Sequence, residues 1–122
     1  MDNKSILISG AGIAGLALAY WLKKYGFKPT VIEFAPKLRE GGYAIDFFGA
    51  GFDVAEKMGI LSDLKSADLR IREVVFVDNE NKRKGALNAF EIRRLVNDRF
   101  YNILRSDLAK VISGHLDSDI EF

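Results

Sequence analysis

The sequence predicts an α/β fold organised around a parallel sheet, and three features of its first 35 residues carry that prediction. Ile6-Leu7-Ile8 is a short, uninterrupted apolar run, the pattern of a strand covered on both faces. The glycine-spaced stretch Gly10-Ala11-Gly12-Ile13-Ala14-Gly15 follows at once and opens a helical pattern from Gly12 to Tyr25, with Ile13, Leu16, Ala17 and Tyr20 at spacings of three and four. Gly26 and Pro29 then stop the helix, and Thr30-Val31-Ile32-Glu33-Phe34 reads as a second strand. Strand, helix and strand in that order form one crossover unit of a parallel sheet.

The remaining elements are weaker in signal. Arg39 to Gly42 reads as a loop, Gly49 to Met58 as a helix ended by Gly59, and Ile60 to Ser66 as a short helical piece. Ile71 to Val77 is β-rich, Asp78-Asn79-Glu80-Asn81 is turn chemistry, and Lys82 to Phe90 is expected to return as the partner strand of a hairpin. Ser106 is expected to cap a helix, with Asp107 in its first turn and Gly114 closing it. Asp119 to Phe122 opens a further strand. Phe47 and Phe48 are expected in core or subunit contacts, and Arg93-Arg94 as solvated helix charge. No repeat or linker interrupts the chain, so residues 1–122 read as one domain without a second.

Composition removes several function classes. Hydrophobic residues make up 48% and charged residues 29%, a globular balance. Eighteen Lys+Arg against seventeen Asp+Glu give a net charge of +1, which offers no electrostatic attraction to nucleic acid or to an anionic membrane. The absence of cysteine excludes disulfides, thiolate metal sites and cysteine nucleophiles, and suits a cytoplasmic location. His115 is the sole histidine, and with only Asp117 and Asp119 nearby it makes no metal site. The uncharged stretch from Ser5 to Leu22, flanked by Lys4 and Lys23, imitates a signal peptide or a membrane span. Three glycines placed where a strand would end and a helix begin argue against that reading.

Those glycines form the pattern G-x-G-x-x-G, and each has a separate physical task. Gly10 permits a tight turn, Gly12 removes a side chain that would block approaching phosphates, and Gly15 lets the helix pack closely. The helix N-terminus, at Ile13 and Ala14, offers unpaired N–H groups and a partial positive charge to a pyrophosphate. Glu33 lies eighteen residues past Gly15 at the end of the next strand, where its carboxylate can accept from ribose hydroxyls and would repel a 2′-phosphate. The pattern predicts a Rossmann-like dinucleotide-binding βαβ unit with an added β-hairpin. It does not separate NAD from FAD, which share the ADP half.

Three stretches together resemble a known family. They are the fingerprint through Val31-Ile32-Glu33, the loop and helix Leu38-Arg39-Glu40-Gly41-Gly42-Tyr43-Ala44-Ile45-Asp46, and Ile103-Leu104-Arg105-Ser106-Asp107-Leu108. In combination they resemble the flavin-dependent aromatic hydroxylases, the group-A monooxygenases, and the likeness covers almost the whole chain. The resemblance implies FAD as cofactor, with NAD(P)H as reductant and a small aromatic or polycyclic compound as the substrate to be hydroxylated. It implies that Arg105 opens a helix beside the FAD and contacts its phosphate–ribitol region. Asp46 matches an acidic flavin contact of the tetracycline-inactivating branch, and Arg39 a basic position that some members use towards NADPH.

Two further motifs of that family, an Asp-Gly and a Gly-Asp that touch the cofactor, are absent from this sequence. The substrate-binding sheet and the carboxy-terminal helices of the family are missing as well. The expectation is therefore the amino-terminal portion of an FAD-binding domain, incomplete relative to the family and short of full activity alone. Two alternatives are a free-standing dinucleotide-binding module without catalysis and a non-binding remnant that self-associates through uncovered sheet surface. Ile6, Ile8, Val31 and Ile120 are the apolar residues expected to lack cover.

Overall fold

A computed structural model describes residues 3–116 and 120–121. In chain order the elements are β1 (Ser5–Ser9), α1 (Ile13–Lys24), β2 (Lys28–Ile32), β3 (Ala44–Phe48), α2 (Ala50–Met58), α3 (Leu61–Ser66), β4 (Glu73–Val77), β5 (Arg83–Asn88), α4 (Ala89–Leu95), β6 (Phe100–Leu104), α5 (Arg105–Gly114) and β7 (Ile120–Glu121). They fall into two compact units. One holds the residues up to Tyr43 together with those from Leu104 onward, and the other spans Ala44–Ile103.

The first unit is the predicted crossover. β1 runs parallel to β2, with Ser5 opposite Lys28 and Ser9 opposite Ile32, and β7 lies parallel on the far side of β2, with Val31 opposite Ile120. The second strand therefore starts and stops two residues earlier than expected, which leaves Glu33 just beyond its end. α1 packs on β1 and β2, and α5 packs on α1. Leu16 and Ala19 of α1, Ile8, Val31, Leu108, Ile112 and Leu116 are buried in this unit. Each large side chain so covered contributes about 1.5–3 kcal/mol.

Ile8 and Val31 do not lack cover, contrary to expectation; both lie beneath the helical layer. Strand alternation turns Leu7 and Ile32 to the opposite face, where Leu7 is 67% exposed. The span from Ser5 to Leu22 is thus a five-residue strand, a turn and most of a twelve-residue helix. No helix among the described residues is long and apolar enough to cross a membrane.

The second unit holds two short sheets, with β3 paired to β6 and β4 paired to β5 as the expected hairpin. The hairpin is antiparallel, with Glu73 opposite Asn88 and an irregularity between Phe76 and Val77. Its turn is closed by the Asp78 carboxylate, which accepts from the N–H groups of Glu80 and Lys82 at 2.9 Å each. α2 ends on Gly59 in the left-handed region at φ 75°, the stop read from the sequence. Phe52, Ala55, Met58, Ile60, Leu64, Phe100 and Ile103 are buried in this unit.

Four expectations are corrected here. Residues 44–46, read as loop and helix, belong to β3. The return strand ends at Asn88, whose side chain caps α4 by accepting from Phe90 N–H at 2.9 Å. Ser106 does not cap α5: the helix begins at Arg105 with Leu104 as its flanking residue, and Ser106 is buried in the first turn. Arg93 is not solvated, because its guanidinium pairs with Asp68 at 3.0 Å, their side chains 18% and 5% exposed. Phe47 packs on Phe52 with ring centres 6.3 Å apart, whereas Phe48 is 52% exposed. The strand expected from Asp119 to Phe122 is present as Ile120–Glu121; Asp119 and Phe122, like Asp117, lie outside the described residues.

Candidate dinucleotide-binding site

The site is built where β1 gives way to α1. Gly10 adopts φ 102°, which only glycine takes readily, and its N–H donates to the Ile32 carbonyl at 2.7 Å, tying the turn to the end of β2. Gly15 is required by close approach, since a Cβ there would collide with the Gly10 carbonyl oxygen. Gly12 differs. Its φ of −75° suits any residue, and a Cβ on it would meet no atom of the chain within 4 Å.

Two of the three glycines are thus explained by the fold itself, and Gly12 is not. Its missing side chain clears the approach to the N-terminus of α1, which carries no side-chain cap and no acidic residue in its first turn. The first amide groups of that helix, at Ile13 and Ala14, keep the donors and partial positive charge that suit a phosphate.

Glu33 holds a position the spacing did not foresee in full. Its two carboxylate oxygens accept from the N–H of Ala11 at 2.8 Å and from the N–H of Ala35 at 3.0 Å. It therefore fastens the glycine turn to the segment after β2. These bonds, Ala35 first and Ala11 second, hold its carboxyl below the usual carboxylate range, with a smaller contribution from Arg39. A carboxylate has about four acceptor positions, and the N–H of Phe34 adds a weaker backbone bond to those of Ala35 and Ala11, so a position remains for a hydroxyl donor.

A cavity of about 330 Å³ opens over this turn. Gly12, Ile13, Glu33, Arg39 and Arg105 line it, so five of the nine residues singled out from the sequence share one surface. Gly10, Ala14 and Gly15 stand in the turn and helix beside it without lining it. Arg105 is placed by the start of α5, where its own N–H donates to the Tyr43 carbonyl at 3.2 Å. Arg39 interacts electrostatically with Glu33 across this lining, and Arg105 stands on the same wall.

Asp46 does not line this cavity. It lies in the second unit on β3, with its carboxylate accepting from Asn102 Nδ2 at 2.6 Å. Sequence reasoning missed Ala11, whose backbone N–H reaches Glu33, and the buried Ser106, which lines the cavity from α5. A backbone donor leaves no mark in a sequence. The burial of Ser106 follows from a helix start two residues earlier than the residue types suggest.

The residues present fit an adenine dinucleotide. The amino end of α1, two arginines and the Glu33 carboxylate border one cavity, beside a glycine whose missing side chain the chain itself does not need.

Comparison with known proteins agrees. Residues 8–53 match the family described as an NAD(P)-binding Rossmann-like domain. The chain is 37% identical over 120 residues to an uncharacterized protein of Mycobacterium tuberculosis, covering 98% of this chain and 32% of that protein. It is 37% identical over 112 residues to a flavin-dependent monooxygenase of Legionella longbeachae, covering 90% of this chain and 28% of that protein. Among solved structures, tetracycline destructase Tet(55) superposes with a TM-score of 0.79 at 36% identity, over 97% of this chain and 28% of that one. The chain spans about a third of the length of the curated relatives it matches.

Proposed function

Because the chain belongs to the group-A flavin-dependent monooxygenase family, matching about a third of its members' length, we propose that it binds FAD through the cavity over Gly10–Gly15. In this reading the pyrophosphate rests on the amides of Gly12, Ile13 and Ala14, and the adenosine ribose on the remaining acceptor position of Glu33. Arg105 neutralises the phosphate–ribitol side of the cofactor, and Arg39 adds positive charge at the mouth. Bound flavin supplies the redox chemistry by which a monooxygenase places one oxygen atom of O₂ on its substrate. The protein's share is to grip, orient and shield. For the whole protein, the function proposed is NAD(P)H-dependent hydroxylation of a small organic compound, aromatic or polycyclic in class.

The observation that carries the cofactor assignment is Gly12. Its neighbour Gly15 is demanded by the Gly10 carbonyl, while Gly12 faces open space and has no structural reason to lack a side chain. Gly12→Val fills that space and leaves the fold intact. Titration with FAD, followed by quenching of flavin fluorescence, is expected to show affinity falling about a hundredfold, the loss of the phosphate contacts. Unchanged affinity would overturn the assignment.

Glu33 sharpens the reading. A carboxylate held charged beside the ribose repels a 2′-phosphate, so wild-type protein is expected to prefer NADH to NADPH when either is used as a competitor at the same cavity. Equal competition by the two nucleotides would remove Glu33 from the ribose position.

A further inference from the structure

The side-chain oxygen of Asn102, on β6, is buried and accepts from no donor among the described residues. The residue is 5% exposed and is anchored at three points. Its backbone N–H donates to Asp68 Oδ1 at 3.0 Å, its carbonyl accepts from Leu69 N–H at 2.7 Å, and its Nδ2 donates to Asp46 at 2.6 Å. A carboxylate only accepts, so the amide must turn its NH₂ towards Asp46 and its oxygen away. Flipping it would set two acceptors face to face. The oxygen is therefore fixed in direction as well as unanswered.

A buried acceptor without a donor costs about 1–3 kcal/mol, and folded proteins keep few of them. Asn102 lines a cavity of about 230 Å³ whose residues all lie in the second unit. Apart from Asp46, which the amide already holds, the other lining side chains are apolar. Phe48 and Phe100 stack on each other there, ring centres 5.8 Å apart at 31°, and leave no slot between them for a planar ring. Ile71, Val74, Ile92 and Val96 make the rest of the wall branched and aliphatic. An apolar cavity of about 150 Å³ already accepts benzene, so this one has room for a compact alicyclic body. A water on the oxygen would leave that wall wet, whereas an apolar body carrying its own donor answers the oxygen and covers the wall together.

We propose that this cavity binds a compact aliphatic alcohol, its hydroxyl donating to Asn102 Oδ1 and its hydrocarbon body against Val74, Ile92 and Val96. The amide oxygen accepts and cannot donate, so a ketone of the same shape would bring a second acceptor against it. An ammonium group would leave water for apolar walls, at a cost that one neutral carbonyl does not return. Asp46 is a positioning residue: it holds the amide and does not itself read the ligand. The inference does not rest on the cofactor assignment, since none of its residues belongs to the first unit.

The test compares cyclohexanol with cyclohexanone, close in shape and different in having a donor. Both are titrated into the intact 122-residue chain and followed by NMR chemical shifts. Cyclohexanol is expected to bind about tenfold more tightly, and the side-chain carbonyl carbon of Asn102 should shift with the alcohol and not with the ketone. Asn102→Leu keeps the volume, removes the acceptor and releases Asp46, so the preference for the alcohol should vanish. A preference that survives there would assign the hydroxyl to Asp46 and overturn the inference. Val74→Trp, a change at an exposed position, should close the cavity to both compounds. Equal binding by wild type, tighter binding of cyclohexylammonium than of cyclohexanol, or alcohol binding retained in Val74→Trp would each overturn it. So would no binding of either compound at millimolar concentration, which would leave the oxygen to water. If Asn102→Leu fails to fold, the wild-type ligand pair and the Asn102 carbon resonance still decide. A parallel FAD titration separates the two sites: FAD bound without the alcohol condemns this cavity alone, and the reverse result condemns the cofactor reading alone.

Discussion

The turn around Gly10–Gly15 and the region around Asp46 both place a carboxylate beside a cavity, yet they do it by different routes. Glu33 is fixed by two backbone amides of its own βαβ unit, one of them Ala35 only two residues away. Asp46 is fixed by the side chain of Asn102, 56 residues later, on a strand that pairs with its own. In the first region, local chain geometry makes the site. In the second, the site exists only after two distant strands have met. That difference says which mutations should act on folding and which on ligands alone.

The largest effect is expected at Asp68, which anchors the second region. Its carboxylate takes the Arg93 guanidinium and the backbone N–H groups of Arg70 and Asn102, with 5% of its side chain exposed. Asp68→Ala leaves a half-buried cation and two backbone donors without their acceptor, at a cost of about 2–4 kcal/mol. Urea denaturation should show the midpoint falling accordingly, and a loss below about 1 kcal/mol would mean that the pair is effectively solvated.

Next comes the contrast between two glycines of one motif. Gly15→Val drives a side chain into the Gly10 carbonyl and should destabilise the first unit by about 3 kcal/mol. Gly12→Val meets open space and should change stability by less than about 0.5 kcal/mol while weakening FAD binding about a hundredfold. Thermal unfolding measured beside FAD titration separates the two. If both variants unfolded alike, the distinction between a fold glycine and a ligand glycine would fail.

A smaller effect concerns pH. The Glu33 carboxyl is depressed by its backbone bonds from Ala35 and Ala11, so the folded state binds a proton there less readily than the unfolded chain does. Its contribution to stability is therefore complete above the ordinary glutamate pKa of about 4.3, and is lost as pH falls through the lower folded value. Glu33→Gln should flatten that acid limb and leave the profile above about pH 6 parallel to wild type. An unaltered acid limb in denaturation followed by circular dichroism would show that the bonds to Ala11 and Ala35 contribute nothing in solution.

The smallest effect is at the open sheet face. β1 stands at one edge of the order β1-β2-β7, and Leu7 is exposed beside it. Edge and apolar surface together favour association between chains. Sedimentation across a concentration series should show weak self-association that Leu7→Lys reduces. Wild-type protein that stays monomeric at high concentration would rule out this face as an association surface.

Much of the first region was legible because its signals are local. The spacing of Gly10, Gly12 and Gly15, the helix period after them and an acidic residue after the next strand are all set within 35 residues, and backbone sterics translate them directly into a turn and a helix N-terminus. Gly49 and Gly59 bracket α2 for the same reason, as Asp78 closes the hairpin turn. The strand Ala44–Phe48 was not legible. Its five residues carry no clean alternation, and its strand character comes from pairing with Phe100–Leu104.

Tertiary structure alone decided three matters. It paired a half-buried Arg93 with Asp68, because the charge of an arginine on a short helix says nothing of a carboxylate 25 residues earlier in the chain. It gave Ser106 a place inside α5 and in the cavity lining, because a helix starts where the preceding strand releases the backbone and not at the best capping residue. And it joined Asp46 to Asn102, a partner 56 residues later that no local pattern announces. The sequence by itself determined the glycine turn between β1 and α1, since glycine conformation and helix polarity act over a few residues. Which distant side chains share a cavity depends on how strands pair, and strand pairing is a property of the folded chain.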